Sequence, residues 1–175
     1  MSQFMHGVIL ILVLVLSGTA WAQAEGGAGG APGGGDKNPN FEIGIHLGNL
    51  LPNQIDGVTE IMGLGGARMA MRMGPASYFE TGIIMGNGEG QSWKDIHGDF
   101  RMDIPVENMV ALAYVGADAV YYQGQGRGSK LTFGGHAGGG AQLKMSGSAW
   151  FRADMKFGFN PGTSLYIGFG ISWRL

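Results

Sequence analysis

The chain has 175 residues, with 11 basic and 13 acidic side chains and a formal net charge of −2. That balance excludes nucleic acid as a partner, because a phosphate backbone is held by an excess of Lys and Arg. There is no cysteine, which excludes structural disulfides, thiolate metal sites, thiol catalysis and a lipid-modified N-terminal cysteine.

The first element is an address. Val8 to Leu16 is an unbroken apolar run, followed by the small residues Ser17 to Ala20 and two overlapping A-x-A sites, Ala20-Trp21-Ala22 and Ala22-Gln23-Ala24. A run of that length is too short to span a bilayer, so residues 1–24 read as a secretory signal peptide. The stretch Gly26 to Gly35 holds only Gly, Ala and Pro. It has nothing to bury, and 25–39 reads as a flexible Gly-rich linker. The remaining unit is 40–175, one domain of ordinary size.

Period two governs that unit. Phe41, Ile43, Ile45 and Leu47 oppose Glu42, Gly44, His46 and Gly48. Further along, Met69 and Met71 oppose Arg68 and Arg72, Phe79 and Met85 oppose Glu80 and Gly86, and Phe100 and Met102 oppose Arg101 and Asp103. Phe151 and Met155 oppose Arg152, Asp154 and Lys156, and Phe169, Ile171 and Trp173 oppose Gly170, Ser172 and Arg174. Side chains of a strand alternate faces, so each strand has one greasy face and one polar or glycine-filled face. Segments near ten residues with this alternation mark a transmembrane β-barrel.

The pattern predicts strands near 40–48, 60–73, 78–86, 95–104, 110–122, 131–143, 149–158 and 164–175. The fold class is therefore all-β: an eight-stranded antiparallel up-and-down transmembrane barrel. The connections 49–59, 87–94 and 123–130 read as the longer loops, and 74–77, 105–109, 144–148 and 159–163 as tight ones. The segment 110–122 is the least patterned, being apolar on both parities.

Eight strands enclose little more than their own side chains. By parity the lumen receives Arg68, Arg72, Arg101, Arg152, Lys156 and Arg174, opposed by Glu42, Glu80, Asp103, Asp118 and Asp154. Unpaired buried charge is costly, so these groups are expected to form one salt-bridged network that closes the lumen. Gly134, Gly138 and Gly140 are expected to leave room for neighbouring long side chains. His46 and His136 share the parity of Glu42 and Glu80, and Asp95, His97 and Asp99 alternate on one face. Alternation reproduces ligand spacing by accident, so neither set is assigned a metal, and no cofactor or catalytic residue is assigned. Trp93, Lys94 and Arg127 are the loop residues best suited to external contact. Trp93, Trp150, Trp173, Tyr121 and Tyr122 are expected at the membrane interfaces.

Three stretches carry a family likeness. They are Asp103-Ile104-Pro105-Val106 followed by Tyr114-Val115-Gly116-Ala117, the run Phe133 to Gly140, and the final strand with Trp173 third from the end. Over 40–175 the chain resembles the small eight-stranded OmpA/OmpX-like outer-membrane barrel superfamily. Where that family usually ends in Phe, this chain ends in Leu175, and Asp118 stands where glycine is frequent. The resemblance implies an outer-membrane protein of a Gram-negative cell. Its partners would be outer-membrane lipids, lipopolysaccharide and the barrel-insertion machinery, the last through the C-terminal strand. The residues support a non-enzymatic barrel serving envelope integrity or surface contact. The alternatives are an adhesin or receptor acting through its loops, with an unknown extracellular ligand, and a lipid A-modifying enzyme.

Overall fold

The computed structural model describes residues 40–175, so the signal peptide and linker read from the sequence lie outside the described residues. Eight strands follow in order: β1 Phe41–Asn53, β2 Met62–Arg72, β3 Ser77–Gly88, β4 Gln91–Val106, β5 Met109–Gln123, β6 Ser129–Ser146, β7 Ala149–Phe159 and β8 Thr163–Arg174. Every strand pairs antiparallel with its sequence neighbour, and β1 pairs with β8, for example Ile45 with Ile171, to close the barrel. Closure removes both sheet edges, so each backbone N–H and C=O of the wall has a partner without water.

Polarity is inverted relative to a soluble barrel. Leu47 and Phe133 are each 72% exposed on the outer wall, while Arg101 is 0% and Arg152 1% exposed inside. Buried arginines and a bare ring of Ile, Leu, Phe and Met are intelligible only if the outer wall faces hydrocarbon. All the alternations read from the sequence fall on the expected faces.

The ends differ from expectation. The segment expected as loop 87–94 is a two-residue hairpin turn, Glu89 (φ 44°) and Gly90 (φ 77°), the positive-φ pair that matches the twist of flanking strands. The other expected long loops move or shrink to 54–61 and 124–128. The cause is a second switch of polarity near the loops. There Leu50, Met62, Leu64, Ile84, Trp93, Val120 and Tyr122 point inward and are buried, joined by Ile55 and Val58 from loop 54–61. On the outside at this end, Asn49, Asn87, Lys94 and Gln123 are exposed. The greasy-out rule ends, but strand pairing continues. In β5, Val120 and Tyr122 face inward for this reason, while Val110 and Leu112 are inward apolar residues at its turn end, and together they make the strand apolar on both parities.

Candidate functional site

The lumen holds three layers. The layer nearest the turns is a belt of four arginines and four carboxylates. Arg101 donates through Nε to Asp103 Oδ1 (2.8 Å), through Nη2 to Glu42 Oε2 (3.0 Å), and through Nη1 to Glu80. Arg152 grips Glu80 with both terminal nitrogens, at 2.7 and 2.9 Å, and reaches Asp154 at 2.9 Å through Nε. Arg68 donates to Asp154 Oδ2 at 2.7 Å, and Arg174 to Asp103 Oδ2 at 2.7 Å. Gln142, fully buried, ties the set together by donating to Glu42 Oε1 (2.8 Å) and Ser172 Oγ (3.2 Å) and accepting from Arg174. Guanidinium is the suitable cation, because its planar fork meets carboxylates two bonds at a time. Aromatic faces take up the remaining cationic surface: Arg101 lies 4.6 Å from the Tyr78 ring and Arg174 4.6 Å from the Trp150 ring.

The middle layer contains Asp95, Asp99, Asp118, His97, His136 and Lys156, all buried. Lys156 Nζ donates to Asp95 Oδ2 (2.7 Å) and Asp118 Oδ1 (3.0 Å). His136 sits between two carboxylates, with Nε2 2.7 Å from Asp99 Oδ1 and Nδ1 2.9 Å from Asp118 Oδ2. A cavity of about 20 Å³, lined among others by His46, Arg68, His97 and Tyr166, separates this layer from the belt and is large enough for one water. The third layer is the apolar cap, where Trp93 packs on Tyr122 with ring centres 5.9 Å apart.

Glycines make these layers possible. A Cβ on Gly66 would stand 2.7 Å from His46 Nε2, one on Gly82 2.8 Å from His97 Nε2, and one on Gly140 3.0 Å from Asp154 Oδ1. A Cβ on Gly138 would collide with the Tyr114 ring. Gly134 serves otherwise than expected: its neighbours are the backbone of Phe159 and Asn160, not a long side chain.

Most of the expected charge set is brought together, but in two groups. Glu42, Arg68, Glu80, Arg101, Asp103, Arg152, Asp154 and Arg174 form the belt, while Asp118 and Lys156 belong to the middle layer. Arg72 lies at the β2–β3 turn, where it donates to the carbonyls of Gly74 and Pro75, both at 2.8 Å. Gln142 and the pairing of His136 with Asp99 escaped the sequence reading. The first carries no charge, and the second depends on strand register. Of the two candidate ligand sets, His46 and His136 are not gathered with Glu42 and Glu80, whose oxygens are taken by arginines. In the other set, Asp118 from β5 replaces Asp99 as the group nearest Asp95 and His97.

Of the loop candidates, Trp93 is corrected, while Lys94 and Arg127 are exposed. Trp93 is 4% exposed and belongs to the cap, because it lies on the inward parity of β4. Lys94 is on the outer face, its Nζ 5.9 Å from the Tyr121 ring. Arg127 is exposed, 3.6 Å from Asp56, which also accepts from Lys130 Nζ at 2.8 Å. Of the expected interface aromatics, Tyr121 is exposed and Trp173 half-buried on the outward parity of their strands; Trp93, Tyr122 and Trp150 take the lumen parity.

The chain matches no protein-family model and no curated protein by sequence. Solved structures do match. Neisserial surface protein A is similar at a TM-score of 0.68 and 8% identity, over 78% of this chain and 97% of that one. The N-terminal β-barrel domain of Pseudomonas aeruginosa OprF is similar at 0.58 and 10% identity, over 77% and 97%. A transmembrane β-barrel designed de novo is similar at 0.52 and 15% identity, over 80% and 98%. That a designed barrel stands beside natural ones marks the likeness as one of architecture. The closed eight-stranded wall, its inverted polarity and these likenesses together give the chain the fold of the small outer-membrane β-barrels.

Proposed function

We propose that the chain is an integral outer-membrane protein of a Gram-negative cell that acts as a closed, non-enzymatic barrel contributing to envelope integrity. The observation that carries this reading is the doubly sealed lumen. The belt fills the cross-section with charges already bonded to one another, and the cap covers it towards the loops. A cross-section closed in this way leaves no continuous water column and shuts the buried groups off from a lipid substrate. The three described histidines, His46, His97 and His136, all face the lumen, away from any lipid substrate on the outer wall. The loops favour this reading over an adhesin, since Glu89-Gly90 is a bare turn and Trp93 is withdrawn from the surface.

Two measurements on one deletion strain test it. Lipid A masses should be the same with and without the gene, while sensitivity to detergent and to large antibiotics should rise in its absence. A lipid A mass change, or steady ion conductance by the purified barrel in a planar bilayer, would overturn the reading.

A further inference from the structure

The belt and the middle layer differ in charge balance. The belt has four guanidinium groups for four carboxylates, which sums to zero. The middle layer has Asp95, Asp99 and Asp118 against Lys156 and His136, whose two ring nitrogens both face carboxylate oxygens as those of an imidazolium do, which leaves −1 with His97 neutral. A buried layer with more carboxylates than cations favours the entry of a further cation.

The layer also holds metal-ligating atoms without a hydrogen-bond partner. His97 Nδ1 and Asp95 Oδ1 are buried without a hydrogen-bond partner and stand 3.9 Å apart, and both side chains are 5% exposed. His97 and Asp118 are cross-strand partners in the β4–β5 register, and Asp95 is two residues from His97 on the same face of β4. One ligand atom each from Asp95, His97 and Asp118 lies within 4.8 Å of the others. Donors of a tetrahedral Zn²⁺ site stand about 3.3 Å apart, so the set closes by a contraction of about 1.5 Å at most.

We propose that Asp95, His97 and Asp118 form a binding site for a divalent cation of the zinc type inside the loop half of the barrel. One imidazole with two carboxylates suits a metal of intermediate softness and without a rigid geometric demand, which Zn²⁺ is. The cation offsets the excess of carboxylates while Lys156 stays in place, because each carboxylate oxygen has lone pairs for more than one partner. His136, 2.9 Å from Asp118 Oδ2, orients that ligand from behind. This site goes beyond the closed-barrel reading and does not depend on it; a conducting barrel could still hold the ion.

The test uses the untagged full chain, unfolded with a chelator and refolded into detergent micelles with Zn²⁺. After desalting, metal is counted by mass spectrometry, and folding is checked by the gel mobility of unheated samples. Folded wild type should retain about one Zn²⁺ per chain. His46→Gln should retain the same amount, and His97→Gln should fall to the level of unfolded chain. His136→Gln should bind about 10–100-fold more weakly in competition with a chromophoric chelator. X-ray absorption of the Zn²⁺-loaded wild type provides a reading that needs no variant, with one imidazole nitrogen among oxygen donors expected. Folded wild type without zinc, His97→Gln that keeps it, or a site with no imidazole or several would each overturn the proposal.

Discussion

Towards the turns, inward positions carry Glu42, Arg68, Glu80, Arg101 and Arg152; towards the loops, the same parity carries Leu50, Leu64, Ile84, Trp93 and Tyr122. One strand, β1, passes from Glu42 through His46 to Leu50 without changing the face it presents. The contrast follows from what lies outside. Where the outer wall is Ile, Phe and Met against lipid, an apolar lumen would make the two faces of each strand equivalent and leave register unspecified. Charge on the inner face removes that ambiguity. Where the outer wall turns polar at Asn49, Asn87 and Lys94, water is available outside, and the inner face reverts to the apolar core of a soluble protein. The lumen is thus closed by directional bonds in one half and by non-directional packing in the other, and the two halves should respond differently to mutation.

The largest effect is expected in the belt. Arg152→Ala removes the bidentate partner of Glu80 and one partner of Asp154, leaving carboxylates whose side chains are 3% and 5% exposed. Breaking a buried pair from one side costs about 3–5 kcal/mol, because the surviving charge keeps its desolvation penalty. Urea unfolding in micelles would register this, and an unchanged midpoint would mean that Arg101 and Arg68 suffice to hold Glu80. On the outer wall, Phe169→Arg tests the lipid-facing assignment of β8, where Phe169 is 55% exposed. Near the bilayer midplane the cost should be about 2–4 kcal/mol, read as impaired refolding into lipid. Normal refolding would mean that this stretch of the wall lies in water. A conservative trimming of the cap should be far milder. Ile84→Val removes one methylene from a packed position and should cost about 0.5–1.5 kcal/mol. A loss as large as that of Arg152→Ala would erase the distinction between the halves.

How much of this was legible in the sequence follows the same divide. Wherever outer Phe, Met or Ile alternates with inner charge, period two alone gave the face of each residue, from Glu42 to Arg174. Strand ends near the loops were not legible, because Leu50, Trp93 and Tyr122 break the alternation while still pairing. A polarity pattern cannot distinguish a strand leaving the membrane from a loop. The charge set was legible as a list but not as two groups, since grouping depends on cross-strand register. His97 faces Asp118 only because β4 and β5 pair with that offset, and nothing in either segment alone states it. Gln142 was invisible for a simpler reason: an uncharged side chain at the centre of a charged belt is recognised only from its partners, Glu42, Ser172 and Arg174.

The smallest effect lies at the outer margin of the cap, on loop 54–61, where two carboxylates feel opposite neighbours. Asp56 accepts a hydrogen bond from Lys130 Nζ at 2.8 Å and has Arg127 3.6 Å away, and these cations hold its carboxyl below the ordinary aspartate range. Glu60 shares a hydrogen bond with Glu89 of the β3–β4 turn, and that second carboxylate raises it above the ordinary glutamate range. The linkage signs are therefore opposite. Asp56 adds stability that is present above its unfolded-state value and lost as pH falls through its lowered folded-state value. Glu60 adds stability that is present below its unfolded-state value and lost as pH rises through its raised one. Both groups are fully solvated, so salt should weaken both shifts. Carbon-detected NMR titration of the two carboxyls in micelles should give Asp56 the lower midpoint and Glu60 the higher, each displaced from its free-residue value. In Asp56→Asn, the titration of Glu60 should be unchanged, because its partner is Glu89. If Glu60 moves with that substitution, the loop is one coupled unit with the Asp56 cations, and its two ends are not independently held against the cap.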